Sequence, residues 1–283
     1  MRLVSYVEGE GPRAGILIGE EIAPASALGA PANSVRGLLA ALDGDGLAAL
    51  AERASESSHR IALSGARLSA PVPDPEKIIC LGLNYADHAA ESGQETPKAP
   101  LWFAKFANSL IGSGSEILLP RAYPGYVDYE AELAVVIGRE AHRVEEAQAL
   151  SYVAGAMPFN DVSARDLQLE NPLWTSGKAV DTFAPCGPAL VTLDEVGELQ
   201  GLGLRTRVNG ELLQEGCTRD QIFGVAYTVA WLSRTLTLRP GDIIATGTPA
   251  GVGASKGRFL RAGDVVEVEV DGLGAVRNPV RAE

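Results

Sequence analysis

The stretch VDYEAELAVVIG places Glu130 and Glu132 two residues apart in a run, 130–137, that reads as a strand closed by Gly138. A period of two puts both carboxylates on one face. The apolar AVVIG that follows turns that face toward an interior or a cleft wall. Two acids this close repel strongly at low dielectric, and a hard divalent cation relieves the repulsion best; a solvated strand face is the alternative. Asp161 supplies a third acid. It ends the apolar run VAGAMPF and opens VSARDLQ. A helix over 162–168 would set Asp161, Arg165 and Gln168 at i, i+4 and i+7 on one face. The acid then suits a metal, and the guanidinium and amide suit the oxygens of an organic acid. The plainer alternative is an N-cap aspartate with a surface arginine.

Of three histidines, His59 and His142 lie in polar stretches, whereas His88 sits in LGLNYADHAAES directly after a strand. Glu91 follows three residues later, a neighbour on a helix, where it can fix the imidazole tautomer and raise its basicity. Such a pair makes a general base able to activate water; an exposed helical contact of little consequence is the other option. Lys178, in WTSGKAVDTFAP, is a lone cation in a charge-poor region and can stabilise an anion or simply extend to solvent. The chain has no HExxH, no GxSxG and no GxGxxG after a strand. GTPAGVGASKG lacks the GK[ST] of a phosphate loop, but its backbone N–H groups can face a carboxylate.

These residues need a scaffold. Strands are expected at 77–83, 101–106, 204–208, 211–215, 242–246 and 265–270, with Asn209-Gly210 a strong hairpin signal. Helices are expected near 86–91, 144–151, 162–168 and 221–236. An N-terminal hairpin, residues 3–7 with 15–18, precedes a helix that Ser34 caps and that continues past Gly44 and Gly46. The proline-rich APVPDPEK, residues 70–77, marks a boundary, giving a small N-terminal α/β domain, 1–70, and a catalytic domain, 71–283. The class is α+β, mainly β.

The 283 residues are 46% hydrophobic and 21% charged, ordinary for a soluble globular protein. A net charge of −12 argues against nucleic acid and anionic membrane as partners. Cys80, Cys186 and Cys217 are widely spaced and read as buried thiols, not a disulfide framework or zinc site. Glu8 and Glu10 interrupt what a signal peptide would keep apolar, and no apolar run approaches a membrane span, so a cytoplasmic location is expected.

Taken in order, LGLNYADHAAE, FAKFANSLIG, DYEAELAVVIG, FNDVSARDLQ, WTSGKAVDTFAPCGP, the Asn-Gly hairpin and RPGDIIATGTPAGVG resemble the fumarylacetoacetate hydrolase family. The resemblance implies a mixed β-roll fold, a homodimer and one Mg²⁺ or Mn²⁺ per subunit. It assigns the metal to Glu130, Glu132 and Asp161. It makes His88 and Glu91 the water-activating dyad, on a lid that spans about 85–100 and closes over substrate. It places Arg165, Gln168 and Lys178 on the carboxylate and carbonyl oxygens of a keto acid, with Lys105 and the Thr248 region as further substrate contacts.

A 2,4-dioxo acid would chelate the metal, and C–C cleavage by water would leave an enolate that the metal and Lys178 stabilise. The family also contains oxaloacetate decarboxylases and isomerase/decarboxylases acting on 2-hydroxyhepta-2,4-diene-1,7-dioate. Because His88 and Glu91 occur together, hydrolysis of an acylpyruvate or related 2,4-diketo acid is the expected activity. A catalytically silent metal-binding protein would not require both of them and Lys178.

Overall fold

The computed structural model describes residues 1–170 and 172–283. Among them a ten-stranded sheet runs, edge to edge, Ile61–Ala62, Glu21–Pro24, Gly11–Ile18, Arg2–Glu8, Leu190–Thr192, Val153–Asn160, Ala131–Ile137, Ile243–Ala245, Ile78–Gly82 and Leu101–Lys105. Its pairs are antiparallel except for Ile243–Ala245 against Ile78–Gly82. A five-stranded sheet, ordered Glu211–Cys217, Gly203–Val208, Val265–Val270, Gly274–Ala282 and Ile117–Leu119, packs against it. The fold is a mixed, sheet-rich α+β architecture.

The strand Ala131–Ile137 is buried on both faces, which explains its unbroken apolar sequence. Leu133, Val135 and Ile137 pack with Leu204, Val268 and Val276 of the second sheet. Ala134 and Val136 pack toward the N-terminal helices, whose Leu38, Leu39 and Leu50 share that core. Glu132 has the parity of Ala134 and Val136. The acids therefore replace core residues at one end of a buried strand face.

The Asn-Gly hairpin forms as expected, with Asn209 at φ 54° and Gly210 at φ 84°, the left-handed pair of a type I′ turn. The continuous N-terminal helix does not. Ser34 caps Val35–Ala41 by accepting from Gly37 N–H, but Asp43 accepts from Gly46 N–H and starts a second helix, Gly44–Glu56. A second cap residue competes with helix continuation. The helix expected over 144–151 is α-helical only at Glu146–Ala149 before tightening. That expected over 221–236 spans Val225–Ser233, because Gln221 bridges to Tyr85 and Ile222 N–H is taken by Asn84 O.

The N-terminal strands are not set apart in space. Arg2–Glu8 pairs with Leu190–Thr192, so residues 1–70 extend the main sheet, and Ala70 and Val72 of the proline-rich segment lie in the shared core. Cys80 and Cys186 are buried, whereas Cys217 is partly exposed. No helix among the described residues is long and apolar enough to cross a membrane.

Candidate active site

Strand register brings the three acids together. Ala131 pairs with Asn160, so the chain leaving Val153–Asn160 emerges beside Glu130. Asn160 Oδ1 accepts from Glu130 N–H at 3.0 Å, and Asp161 N–H donates to Glu130 O at 3.0 Å. Carboxylate oxygens of Glu130, Glu132 and Asp161 lie within 4.8 Å of one another, and all three residues are buried. Asp161 reaches this point from a strand end, not from a helix face. The backbone stays extended through Ser163–Ala164, paired with Val127–Asp128, and the helix begins only at Arg165. The expected i, i+4, i+7 face is thus corrected, although Arg165 and Gln168 do share a helix, and Arg165 Nη1 donates to Gln168 Oε1 at 3.0 Å.

Three cations meet these acids. Lys178 Nζ lies 2.8 Å from Glu130 Oε2 and 2.7 Å from Asp161 Oδ2. Arg165 Nη2 lies 2.7 Å from Glu130 Oε1. Lys105 Nζ donates to Asp161 Oδ1 at 2.6 Å and to Val162 O at 3.0 Å. Lys105 has no side-chain exposure and is not among the cavity-lining residues; its ammonium is paired with the Asp161 carboxylate.

Burial alone would raise the Glu130 carboxyl, but Lys178 and Arg165 outweigh it and hold it well below the usual range. Burial would likewise strip the Lys178 proton, and Asp161 and Glu130 reverse the direction. Glu132 makes no direct ion pair among the described residues, and Lys178 offsets its surroundings only in part. Burial, then the charges of Asp161 and Glu130, push its carboxyl up. Its Oε2 accepts from Gly247 N–H at 2.8 Å, and its buried Oε1 has no hydrogen-bond partner. An all-oxygen acidic set with one orphaned buried oxygen fits a hard divalent cation such as Mg²⁺ or Mn²⁺.

His88 and Glu91, which line the same cavity of about 340 Å³ as Glu130, lie on the helix Ala86–Glu91, with His88 Nδ1 3.0 Å from Glu91 Oε1. An Nδ1–H held by Glu91 leaves Nε2 as the basic atom. Glu130, Arg165, Gln168, Lys178 and Thr248 line the polar end of the cavity, and Leu81, Phe103, Trp174 and Val252 form an apolar wall. Thr248 Oγ1 is engaged by Gln214 Nε2 at 2.9 Å. The glycine-rich loop does present N–H groups to carboxylates, but to the protein's own: Gly247 to Glu132, Gly251 to Glu91, and Gly253 and Ala254 to Asp128.

Two residues escaped the sequence reading. Asp128 continues the period-two row of Glu130 and Glu132, so the same spacing argument carried one step back finds it. Gln214 is buried; it accepts from Ala131 N–H and donates to Pro249 O, tying the acidic strand to the loop. One amide in a hairpin strand gives no comparable signal.

The model of the fumarylacetoacetate (FAA) hydrolase C-terminal domain matches residues 77–281. The mitochondrial oxaloacetate tautomerase fahd2 of Xenopus laevis is 46% identical over 228 residues, 79% of this chain and 71% of that protein. A maleylpyruvate hydrolase from Sphingobium sp. SYK-6, solved with manganese(II) and pyruvate, superposes with a TM-score of 0.84 at 34% identity, covering 100% of this chain and 99% of that one. The 2-hydroxyhepta-2,4-diene-1,7-dioate isomerase of Mycobacterium marinum gives 0.79 at 34% identity, with the same coverage. The domain match and these enzyme relatives together show that this chain belongs to the fumarylacetoacetate hydrolase family.

Proposed function

We propose that the protein is a metal-dependent enzyme of 2-oxo acids whose reaction is the enol–keto tautomerisation of oxaloacetate. The observation that carries the reading is that one cavity is lined both by Glu130, a member of a buried acidic triad, and by a His–Glu pair whose Nε2 is the basic atom. The 46% identity to an oxaloacetate tautomerase supports this choice of reaction. The His88–Glu91 pair alone does not select hydrolysis, because a base that takes a proton from water can equally exchange one with a carbon next to a carbonyl.

Glu130, Glu132 and Asp161 would hold Mg²⁺ or Mn²⁺, which when bound supplies Lewis-acid stabilisation of enolate charge. Arg165 and Gln168 hold the substrate carboxylate. Lys178, kept protonated by Asp161 and Glu130, places a positive charge where negative charge develops. His88 Nε2 carries the proton to and from C3 while Glu91 fixes the ring. Hydrolysis of an acylpyruvate is the second reading, favoured by the apolar wall of Leu81, Phe103, Trp174 and Val252, which suits a neutral acyl chain.

The test supplies freshly dissolved enol-oxaloacetate and, separately, acetylpyruvate to the Mn²⁺-loaded protein. Accelerated loss of enol absorbance, abolished by chelation and reduced by about 10²-fold or more in His88→Ala, supports tautomerisation. Pyruvate and acetate release with no effect on the enol would put hydrolysis in its place.

A further inference from the structure

Asp128 has no part in the chemistry above, yet its carboxylate is fully buried and accepts from two separate elements. Oδ2 accepts from Arg165 Nε at 2.8 Å and lies 2.7 Å from Nη2. From the loop, Gly253 N–H donates to Oδ1 at 2.6 Å and Ala254 N–H to Oδ2 at 2.9 Å, and Tyr129 N–H also reaches Oδ1, at 2.8 Å. The close approach is built in: a Cβ on Gly253 would lie 2.5 Å from Asp128 Oδ1 and 2.1 Å from Arg258 O.

These contacts decide what Arg165 can offer. A guanidinium has five N–H groups in a rigid fork. Nε donates to Asp128 and one N–H of Nη1 to Gln168 Oε1, while Nη2 is buried at ion-pair distance from Asp128 and Glu130, without hydrogen-bond geometry to either, and so is out of a ligand's reach. The second N–H of Nη1 is what remains for a bound acid. Gln168, its oxygen engaged, has its NH₂ to give. Both residues line the cavity, and two donors of fixed direction suit one carboxylate. Without Asp128, Arg165 would answer to Glu130 alone, an acid of the metal triad.

We propose that Asp128 is a positioning residue: it aims Arg165, and through it Gln168, at the carboxylate of a 2-oxo acid, and registers that clamp against the loop that anchors Glu91. The proposal rests on the reading of Arg165 and Gln168 as carboxylate-binding groups.

Asp128→Asn is isosteric, but either orientation of the amide turns its NH₂ toward existing N–H donors. Oxalate binding to the Mn²⁺-loaded protein, Mn²⁺ binding and thermal unfolding are measured for wild type, Asp128→Asn, Arg165→Gln and the double variant. Asp128→Asn is expected to weaken oxalate by about tenfold or more, and to raise KM more than it lowers kcat. Its further effect in the Arg165→Gln background should be under about twofold. An equal loss in both backgrounds overturns the proposal. Wild-type oxalate affinity in Arg165→Gln would instead remove the carboxylate-binding reading beneath it, a separate result. Should Asp128→Asn fail to fold, Arg165→Lys keeps the charge and loses the fork to Asp128. It should bind oxalate as poorly as Arg165→Gln to within about threefold, and wild-type affinity there overturns the proposal.

Discussion

Both carboxylate oxygens of Glu91 accept the N–H of Gly251, at 3.0 and 2.9 Å, while Oε1 also meets His88 Nδ1. The base is therefore fixed from outside its own helix, by a loop 160 residues away in sequence. Gly251 is suited to this role because its φ is +98° and a Cβ would meet Leu213 O at 2.7 Å.

That contact predicts a pH dependence. Burial would raise the Glu91 carboxyl, but hydrogen bonds from His88, Gly251 and Ser255 outweigh it and hold it below its ordinary value. A depressed carboxyl contributes stability above its unfolded pKa, ~4.3, and loses it as pH falls through the lower folded value. Wild-type thermal stability should therefore drop more on acidification below about pH 4 than that of Glu91→Gln. Parallel melting curves across this range would exclude the effect.

Glu132 predicts the opposite response to losing its charge. Its buried Oε1 has no hydrogen-bond partner, so Glu132→Gln should stabilise the metal-free protein, or leave it unchanged, with a gain on the order of 1–3 kcal/mol at most. The same change should abolish the rise in unfolding temperature that Mn²⁺ gives the wild type. A full Mn²⁺-induced rise in Glu132→Gln would show that the metal binds elsewhere.

Lys178 neutralises two acids at once, 2.8 Å from Glu130 and 2.7 Å from Asp161. Removing one partner of a buried ion cluster leaves uncompensated charge. Lys178→Met should cost the metal-free protein roughly 3–5 kcal/mol in urea unfolding. With Mn²⁺ present the deficit should shrink, since the cation takes over part of that neutralisation. An undiminished deficit at saturating Mn²⁺ would contradict metal binding at these acids.

The segment expected to form a mobile lid divides in two. The helix Ala86–Glu91 is docked, with His88 and Ala89 buried, whereas 92–96 and 98–99 are exposed. Amide exchange should be fast at Glu95, Thr96, Lys98 and Ala99 and slower at Ala89 and Gln94, whose N–H groups reach Tyr85 O and Ala89 O. Mn²⁺ with oxalate should slow the first group. Fast exchange across the whole of 86–99 would mean that the docked helix opens freely.

The acids of the site were legible in the sequence because period-two spacing survives folding: Glu130 and Glu132 stand on a strand or beside it in either view. The route to Asp161 was not. Extended backbone at Ser163–Ala164 is dictated by pairing with Val127–Asp128, a partner 35 residues earlier that local spacing does not reveal. The pairing of Lys105 with Asp161 was not legible either, since an ammonium at the end of a strand can turn toward cavity or core. The cap at Ser34 was visible, but the one at Asp43 was not read, because a glycine-rich patch does not show where one helix stops and the next begins.

The pairing of Leu3 with Leu190 has a consequence for how the chain is made. The N-terminal hairpin leaves the ribosome well before Leu190–Thr192, and an isolated hairpin is marginal in water. Its neighbour in the finished sheet, Leu190–Thr192, lies far downstream in the sequence. Until then Arg2–Glu8 is a bare apolar ribbon, able to pair with any strand that passes. A nascent chain stalled before residue 190 should be a good substrate for chaperones, and one stalled well beyond the following strands a poor one.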